Sequence, residues 1–335
     1  MIRHTRRTFT AGAAAAFASI GFVRSRAKAA QFTYKYASNV DVSHPLNVRM
    51  VQMWDAIKRE TNGRFETQIF PNNQLGGDTQ MLTQLRSGAI QFFTLDGGIL
   101  QSVVPVAAIQ AVGFAFKDSA DAFRAMDGPL GDYVRKEIKA KDIWVFDRMW
   151  DNGMRDITSS KAPIRTADDL TNFKIRTPAG KLWVDLFKAF GASPSPLNFN
   201  EVYTALQTKV FDGQENPPAI IQVARLFEVQ KYLSITNHMW SAWHFLGNME
   251  AWKALPPDIQ SVIARNSTKH ALLQRKDVQL LNNTLVDKLH REGMSVNTCD
   301  VAKFRPRLTA FYKDYRGVFG DTAWNLLEQT SGKLG

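Results

Sequence analysis

The sequence predicts a two-lobed α/β fold, with interleaved lobes joined by crossing strands and a long helix spanning both. Three observations carry this. Short strands alternate with amphipathic helices from Gln31 onward, the same rhythm restarts at Asp142, and a run of 35 residues from Asp258 to Glu292 holds neither Gly nor Pro. A chain of 335 residues suits two domains, at roughly 100–200 residues each. A hydrophobic fraction of 44% with 22% charged residues is that of a chain able to bury a core.

The elements follow in order. Gln31–Tyr36 alternates as a half-buried strand does. After Ser43-His44-Pro45, the residues Val48, Val51, Trp54 and Ile57 mark one helical face, which Thr61-Asn62-Gly63 ends. Phe65–Phe70 reads as a strand stopped by Pro71. Asp78 caps a helix carrying Met81, Leu82 and Leu85 that Gly88 closes, and Ile90–Leu95 is a further strand. The uncharged run Gly97–Phe116 contains Gln101, Ser102, Pro105 and Gln110, so it reads as a buried loop, turn and short strand rather than a membrane span.

In the second unit, Asp142–Met149 and Met154–Thr158 read as strands, Asp168-Asp169-Leu170 as a helical turn, and Lys174–Arg176 as a strand ended by Thr177-Pro178. Leu182–Phe190 is an amphipathic helix and Asn200–Thr208 a second one capped by Asn200. Val229–Thr236 is the strand that leaves the unit. No repeat and no linker separates the halves, which predicts interleaved lobes with a cleft able to close as a hinge. An unbroken helix from Asp258 would extend ~50 Å and lie across both lobes; two helices with an unmarked bend are the alternative.

The formal charge of +11 is concentrated at the N-terminus. The first thirty residues hold six basic side chains, Arg3, Arg6, Arg7, Arg24, Arg26 and Lys28, and no acid; taking six from 42 leaves 36 basic against 31 acidic residues in the body. An uncharged Ala/Gly-rich stretch lies between Arg7 and Arg24, and Ala27-Lys28-Ala29 has the small-x-small form of a cleavage site. Residues 1–30 therefore read as an export signal, and Thr5-Arg6-Arg7-Thr8-Phe9 resembles the twin-arginine type, with Thr10 where a Leu is usual. The scattered basic residues of the body exclude a nucleic-acid-binding surface. One Cys excludes a disulfide framework and a Cys-based metal knuckle.

Enzymatic signatures are absent: there is no HExxH, no Cys-x-x-Cys, no G-x-S-x-G and no G-x-G-x-x-G after a strand. No cofactor is expected. His238 and His244 flank Trp240 and Trp243 and read as a polar surface beside packed aromatics, and Cys299 as a small buried hydrophobe.

Three segments are suited to binding an anion. Asn152-Gly153-Met154-Arg155 starts a strand after a Gly turn, Lys174-Ile175-Arg176-Thr177-Pro178 places an Arg at the C-terminal end of a strand, and Asp212-Gly213-Gln214-Glu215-Asn216-Pro217 gathers polar side chains. A guanidinium presents a planar fork that matches a carboxylate.

Here the chain resembles the solute-binding proteins of tripartite ATP-independent periplasmic (TRAP) transporters. The resemblance runs through Phe70-Pro71-Asn72-Asn73-Gln74-Leu75-Gly76, Gly153-Met154-Arg155, Phe173-Lys174-Ile175-Arg176-Thr177-Pro178, Tyr203-Thr204-Ala205-Leu206-Gln207-Thr208, Asp212–Pro217 and Trp252-Lys253-Ala254-Leu255-Pro256. It implies the two-lobed periplasmic binding protein fold, a small carboxylate as ligand and the membrane subunits of a transporter as partners. It also implies that Arg176 pairs with the ligand carboxylate, that Arg155 assists and that Asn216 completes the clamp. Gly77-Asp78-Thr79-Gln80 departs from the acidic-Arg-Glu run of many members, so no contact from that loop is carried over. The expected lobes are residues 31–153 with 242–281, and 154–241 with 282–335.

The remaining pocket wall is expected from Phe93 and Asp96, from Trp150, and from Trp240, Trp243 and His244. Aromatic side chains there favour a monocarboxylate with a hydrophobic or aromatic body. Asp96, Asn152 and His244 favour instead a hydroxy acid or sugar acid, and a dicarboxylate is the further alternative.

Overall fold

The computed structural model describes residues 30–334. The expected export signal, residues 1–30, lies outside them but for Ala30. No helix among the described residues is long and apolar enough to cross a membrane.

The strands are β1 (Phe32–Ala37), β2 (Phe65–Phe70), β3 (Phe92–Asp96), β4 (Ile143–Val145), β5 (Trp150–Ser159), β6 (Lys174–Thr177), β7 (Ser193–Pro196), β8 (Gly213–Asn216), β9 (Tyr232–Asn248) and β10 (Ser295–Thr298). They form a sheet ordered β2-β1-β3-β9-β5-β8-β6-β7, with β4 and β10 also paired to β9. At each end the strands run parallel, β1 beside β2 and β3, and β6 beside β7 and β8. Each end is thus a small α/β layer with helical crossovers.

Two antiparallel strands join the halves. The 17-residue β9 pairs with β3 through Trp243–Gly247 and with β5 between Tyr232 and Trp243. The expected exit strand Val229–Thr236 is therefore only the start of an element that crosses the molecule. The C-terminal half of β9 contains Trp243, His244 and Phe245, which sequence periodicity alone does not separate from a buried turn. Gly213–Asn216, within the segment that gathers polar side chains, is the buried strand β8, satisfied on one side by β5 and on the other by β6. The run Gly97–Phe116 contains a short helical turn at Gly97–Leu100 and a 3-10 segment at Pro105–Ala111 in place of the expected short strand. Phe114, just after the 3-10 segment, donates its amide to the His238 carbonyl of β9 (2.8 Å).

Pro257–Arg291 is one continuous helix of 35 residues, which settles the alternative of a bend. Its N-terminal half packs Ile259, Ile263 and Ala271 into an aromatic core with Trp54, Phe92 and Phe245. Its C-terminal half packs Leu289 with Leu206, Leu233 and Met294 of the other end. Gln274 is the anchor between them: its Nε2 donates to the Asp151 carbonyl (2.7 Å) and its Oε1 accepts from the Asp151 amide (2.8 Å). The last helices, Thr309–Phe319 and Asp321–Ser331, were expected with the second lobe. They pack on Ser119–Met126, Pro129–Lys139 and the 3-10 segment that follow β3. Tyr312 donates to the Gly113 carbonyl (2.9 Å) and Tyr315 to Asp185 (2.8 Å), so this segment touches both halves.

Candidate functional site

A narrow cavity lies where the two halves of the sheet face one another. Its walls come from the C-terminal ends of parallel strands: Asn39 and Val40 after β1, Asp78 after β2, Asp96 and Ile99 around β3, Arg176 in β6 with Pro178 and Trp183 after it, Phe199 after β7, and Asn216 at the end of β8 with Ile220 beyond it. In open α/β sheets this is where ligands bind, because the loops there are free of the ladder. The crossing strands β5 and β9 supply Asn152, Arg155 and Trp243 as the floor.

Arg176 is the penultimate residue of β6 and is 2% exposed. Its Nε and Nη2 donate to the Leu197 carbonyl at 2.9 and 2.6 Å, which fixes the guanidinium plane. No carboxylate forms an ion pair with it among the described residues. Burial pushes its pKa down to about 10, while the nearby charges of Glu215 and Asp78 act the other way. A buried cation held this way is stabilised by any anion that enters.

Arg155 is equally buried, but its charge is already met. Its Nε and Nη2 pair with both oxygens of Glu215, Nη2 also donates to Asn216 Oδ1 (3.1 Å), and Nη1 donates to Ser241 Oγ (3.2 Å). Burial pushes the Glu215 carboxyl up, and Arg155 with His238 outweighs this, so it lies below its ordinary range. His238 Nε2 sits 3.2 Å from Glu215. Arg155 is thus a fixed positive element of the cavity floor. Asn216 is turned by Arg155 on its oxygen and by Gln214 Oε1, which accepts from its Nδ2 at 2.5 Å.

Asp96 accepts from Ser241 Oγ (2.6 Å) and from the Gly98 amide (2.8 Å), and burial pushes it up to about 6. Asp78 accepts from Asn39 Nδ2 (3.1 Å) through one oxygen; its other oxygen has no partner, and burial raises it to about 6. Asn39 Oδ1 and Asn152 Oδ1 are also buried without a partner. These three acceptors line one cavity and suit hydroxyl donors of a ligand.

Of the expected residues, Arg176, Arg155, Asn216 and Asp96 meet at this cavity, together with Trp243 and Asn152. Phe93, Trp150, Trp240 and His244 are not on its wall. The reason for three of them is strand parity. Phe93 is three residues from Asp96 on β3, and Trp240 three from Trp243 on β9, so each pair points to opposite faces. Phe93 and Trp240 belong to the main core, where Trp240 donates to Asp151 Oδ1 (3.0 Å). His244 shares the parity of Trp240, and burial pushes it down to about 3. Trp150 lies in the aromatic core beside Phe245. His238 and His244, expected at a polar surface, are both buried, because β9 is covered on both faces. Cys299 is half-buried, and its thiol donates to the Ile164 carbonyl (3.0 Å).

Sequence reading missed Asn39, Asp78, Trp183 and Phe199. Asp78 was taken for a helix cap, whereas Gly77 holds that position and Asp78 is the first helical residue. An acid directly after Gly76-Gly77, at the start of a helix, was the available signal.

Residues 36–317 match the bacterial extracellular solute-binding proteins of family 7. The chain is 32% identical over 272 residues to the 2,3-diketo-L-gulonate-binding periplasmic protein of Escherichia coli, covering 81% of each. Among solved structures it is similar to a TRAP periplasmic solute-binding protein from a Polaromonas species bound to D-erythronate, with 28% identity, a TM-score of 0.85 and coverage of 91% of this chain and 99% of that one. A counterpart from Sulfurospirillum deleyianum with bound succinate is 25% identical at a TM-score of 0.85, covering 90% and 99%.

Proposed function

The chain belongs to family 7 of the bacterial extracellular solute-binding proteins, and from that membership we propose that it captures a small hydroxylated monocarboxylate, a hydroxy acid or sugar acid, between its lobes. The family binds acid ligands for transport and is not a family of enzymes. Its ligand is handed to the membrane subunits of a TRAP transporter, and an export signal in residues 1–30 delivers the chain to the compartment where this happens.

The observation that carries the reading is Arg176, a buried guanidinium without a carboxylate partner among the described residues, facing the unpartnered acceptors of Asp78, Asn39 and Asn152. Arg176 takes the ligand carboxylate, Arg155 adds positive potential from the floor, and Asn216 donates beside it. The acceptors then take ligand hydroxyls. A second carboxylate on the ligand would face Asp78 and Asp96 and be repelled. This reverses the leaning toward an apolar or aromatic body, since three of the aromatic residues behind it, Phe93, Trp150 and Trp240, lie in the cores. Trp243, Trp183 and Phe199 remain as apolar faces against which a carbon skeleton packs.

A calorimetric and thermal-shift panel of aldonates, uronates, C4 dicarboxylates and aromatic keto acids tests the reading. Binding by aldonates or other hydroxy acids is expected; exclusive binding of a dicarboxylate or an aromatic keto acid would overturn it.

A further inference from the structure

We propose that Trp183 is a ligand-recognition residue, donating its indole N–H to an oxygen of the bound acid, and that Gly98 and Gly180 lack side chains so that the indole can occupy its place. The proposal rests on the acid-binding reading of the same cavity and adds a donor to it.

Trp183 is fully buried and lines the cavity. Its Nε1 has no hydrogen-bond partner. The buried indoles of Trp54, Trp144 and Trp150 also lack one, but none of these lines the cavity, and all pack in or against the aromatic core. Trp240, by contrast, has a buried indole with a partner in Asp151. A buried N–H in a cavity wall is expensive to leave unmet, so it is best explained by what the cavity takes up.

The seat of the ring sets its direction. A Cβ at Gly98 would overlap the Cζ3 and Cη2 atoms of Trp183, and one at Gly180 would overlap Cε3 and Cζ3. These atoms form the benzo edge, on the far side of the indole from Nε1. The two glycines therefore hold the carbon edge and leave the N–H edge turned away from them. The Arg155 guanidinium lies 5.6 Å from the ring centroid, so the same indole borders the positive floor of the site.

Gly98 follows β3 in the first half of the sheet, and Gly180 and Trp183 follow β6 in the second. The seat is thus completed by both halves, and the donor reaches its position only when they are together. Charge also favours this role. Asp78, Asn39 and Asn152 present acceptors and Arg176 a cation; an indole N–H is a neutral donor, suited to the second carboxylate oxygen or an adjacent hydroxyl.

The test uses the full mature chain, with L-gulonate, D-erythronate and galactonate as probes. Trp183→Phe keeps a ring on the two glycines and removes the N–H. It is expected to weaken binding of whichever probe the wild type takes by about tenfold or more, the usual range for a hydrogen bond to a charged or buried group. The ligand-free melting temperature should stay within a few degrees. Gly98→Ala, which keeps the indole but displaces it, should weaken binding at least as much. Wild-type affinity in Trp183→Phe for a probe that the wild type binds overturns the assignment alone. Failure of every probe to bind the wild type overturns the acid reading and this donor with it.

Discussion

Arg176 and Arg155 are buried to the same degree and differ in what already meets their charge. Arg155 is held by Glu215 through two oxygens, and Arg176 is held only by a carbonyl. The two arginines should therefore separate binding from stability. Arg176→Ala removes one partner of a charge pair that forms only with ligand, and a loss of ~2–5 kcal/mol of binding free energy is expected. The ligand-free protein should be no less stable in urea. Arg176→Lys should also bind poorly, because an ammonium cannot keep the Leu197 carbonyl and present a fork to the ligand. Arg155→Ala should instead destabilise the ligand-free fold by ~3–5 kcal/mol, since it leaves Glu215 buried and unpaired. Equal denaturation midpoints for the two alanine variants would refute this division of roles.

The crossing strands decide the geometry at the scale of elements. Between β5 and β9 the register jumps from Arg155 opposite Met239 to Ile157 opposite Ser234, so β9 bulges outward opposite Asp156. Asn237 in that bulge has φ of 43°, and Asp156 Oδ1 accepts the amides of Thr236 and Asn237, both at 2.9 Å. Burial pushes Asp156 up to about 7, against the two amides. With its folded pKa above its unfolded one, Asp156 favours the fold fully at low pH, and that contribution is lost as pH rises from about 4 through 7. Asp156→Asn keeps an oxygen for both amides and cannot ionise. It should match the wild type below about pH 4 and gain on the order of 4 kcal/mol relative to it by pH 8, at about 1.4 kcal/mol per pH unit between the two pKa values; parallel stability curves across that range would contradict this. None of this bulge is visible in the periodicity of Ser234–Trp240, because the extra residues oppose a partner strand far away in sequence. The parity of β3 and β9 is visible, and it would have separated Phe93 from Asp96 and Trp240 from Trp243 had both been treated as strand to their ends.

For the whole molecule, one apolar core runs from Met81 and Phe93 of the first half through Trp183 and Phe187 of the second to Trp324 in the C-terminal helix. The long helix ties the same halves at the back. A closing motion of the halves would then be confined to the cavity side. Ligand that binds only the closed arrangement shifts the population toward it, and at a hundredfold excess over Kd adds about 2.7 kcal/mol of stability. Small-angle scattering should show a smaller radius of gyration on saturation with the acid the panel identifies; an unchanged radius would exclude closure as the capture step.

The sequence by itself determined the α/β alternation, the long Gly- and Pro-free helix, and the joint presence of Arg155, Arg176 and Asn216, because propensity, periodicity and strand-end positions are local properties. Tertiary structure alone decided which polar groups are met. Glu215 neutralises Arg155 across two strands, Arg176 is left for a ligand, and Asp78 and Trp183 join the wall from helices whose starts looked ordinary. Those outcomes depend on burial and on partners distant along the chain, and neither is written in any short stretch of residues.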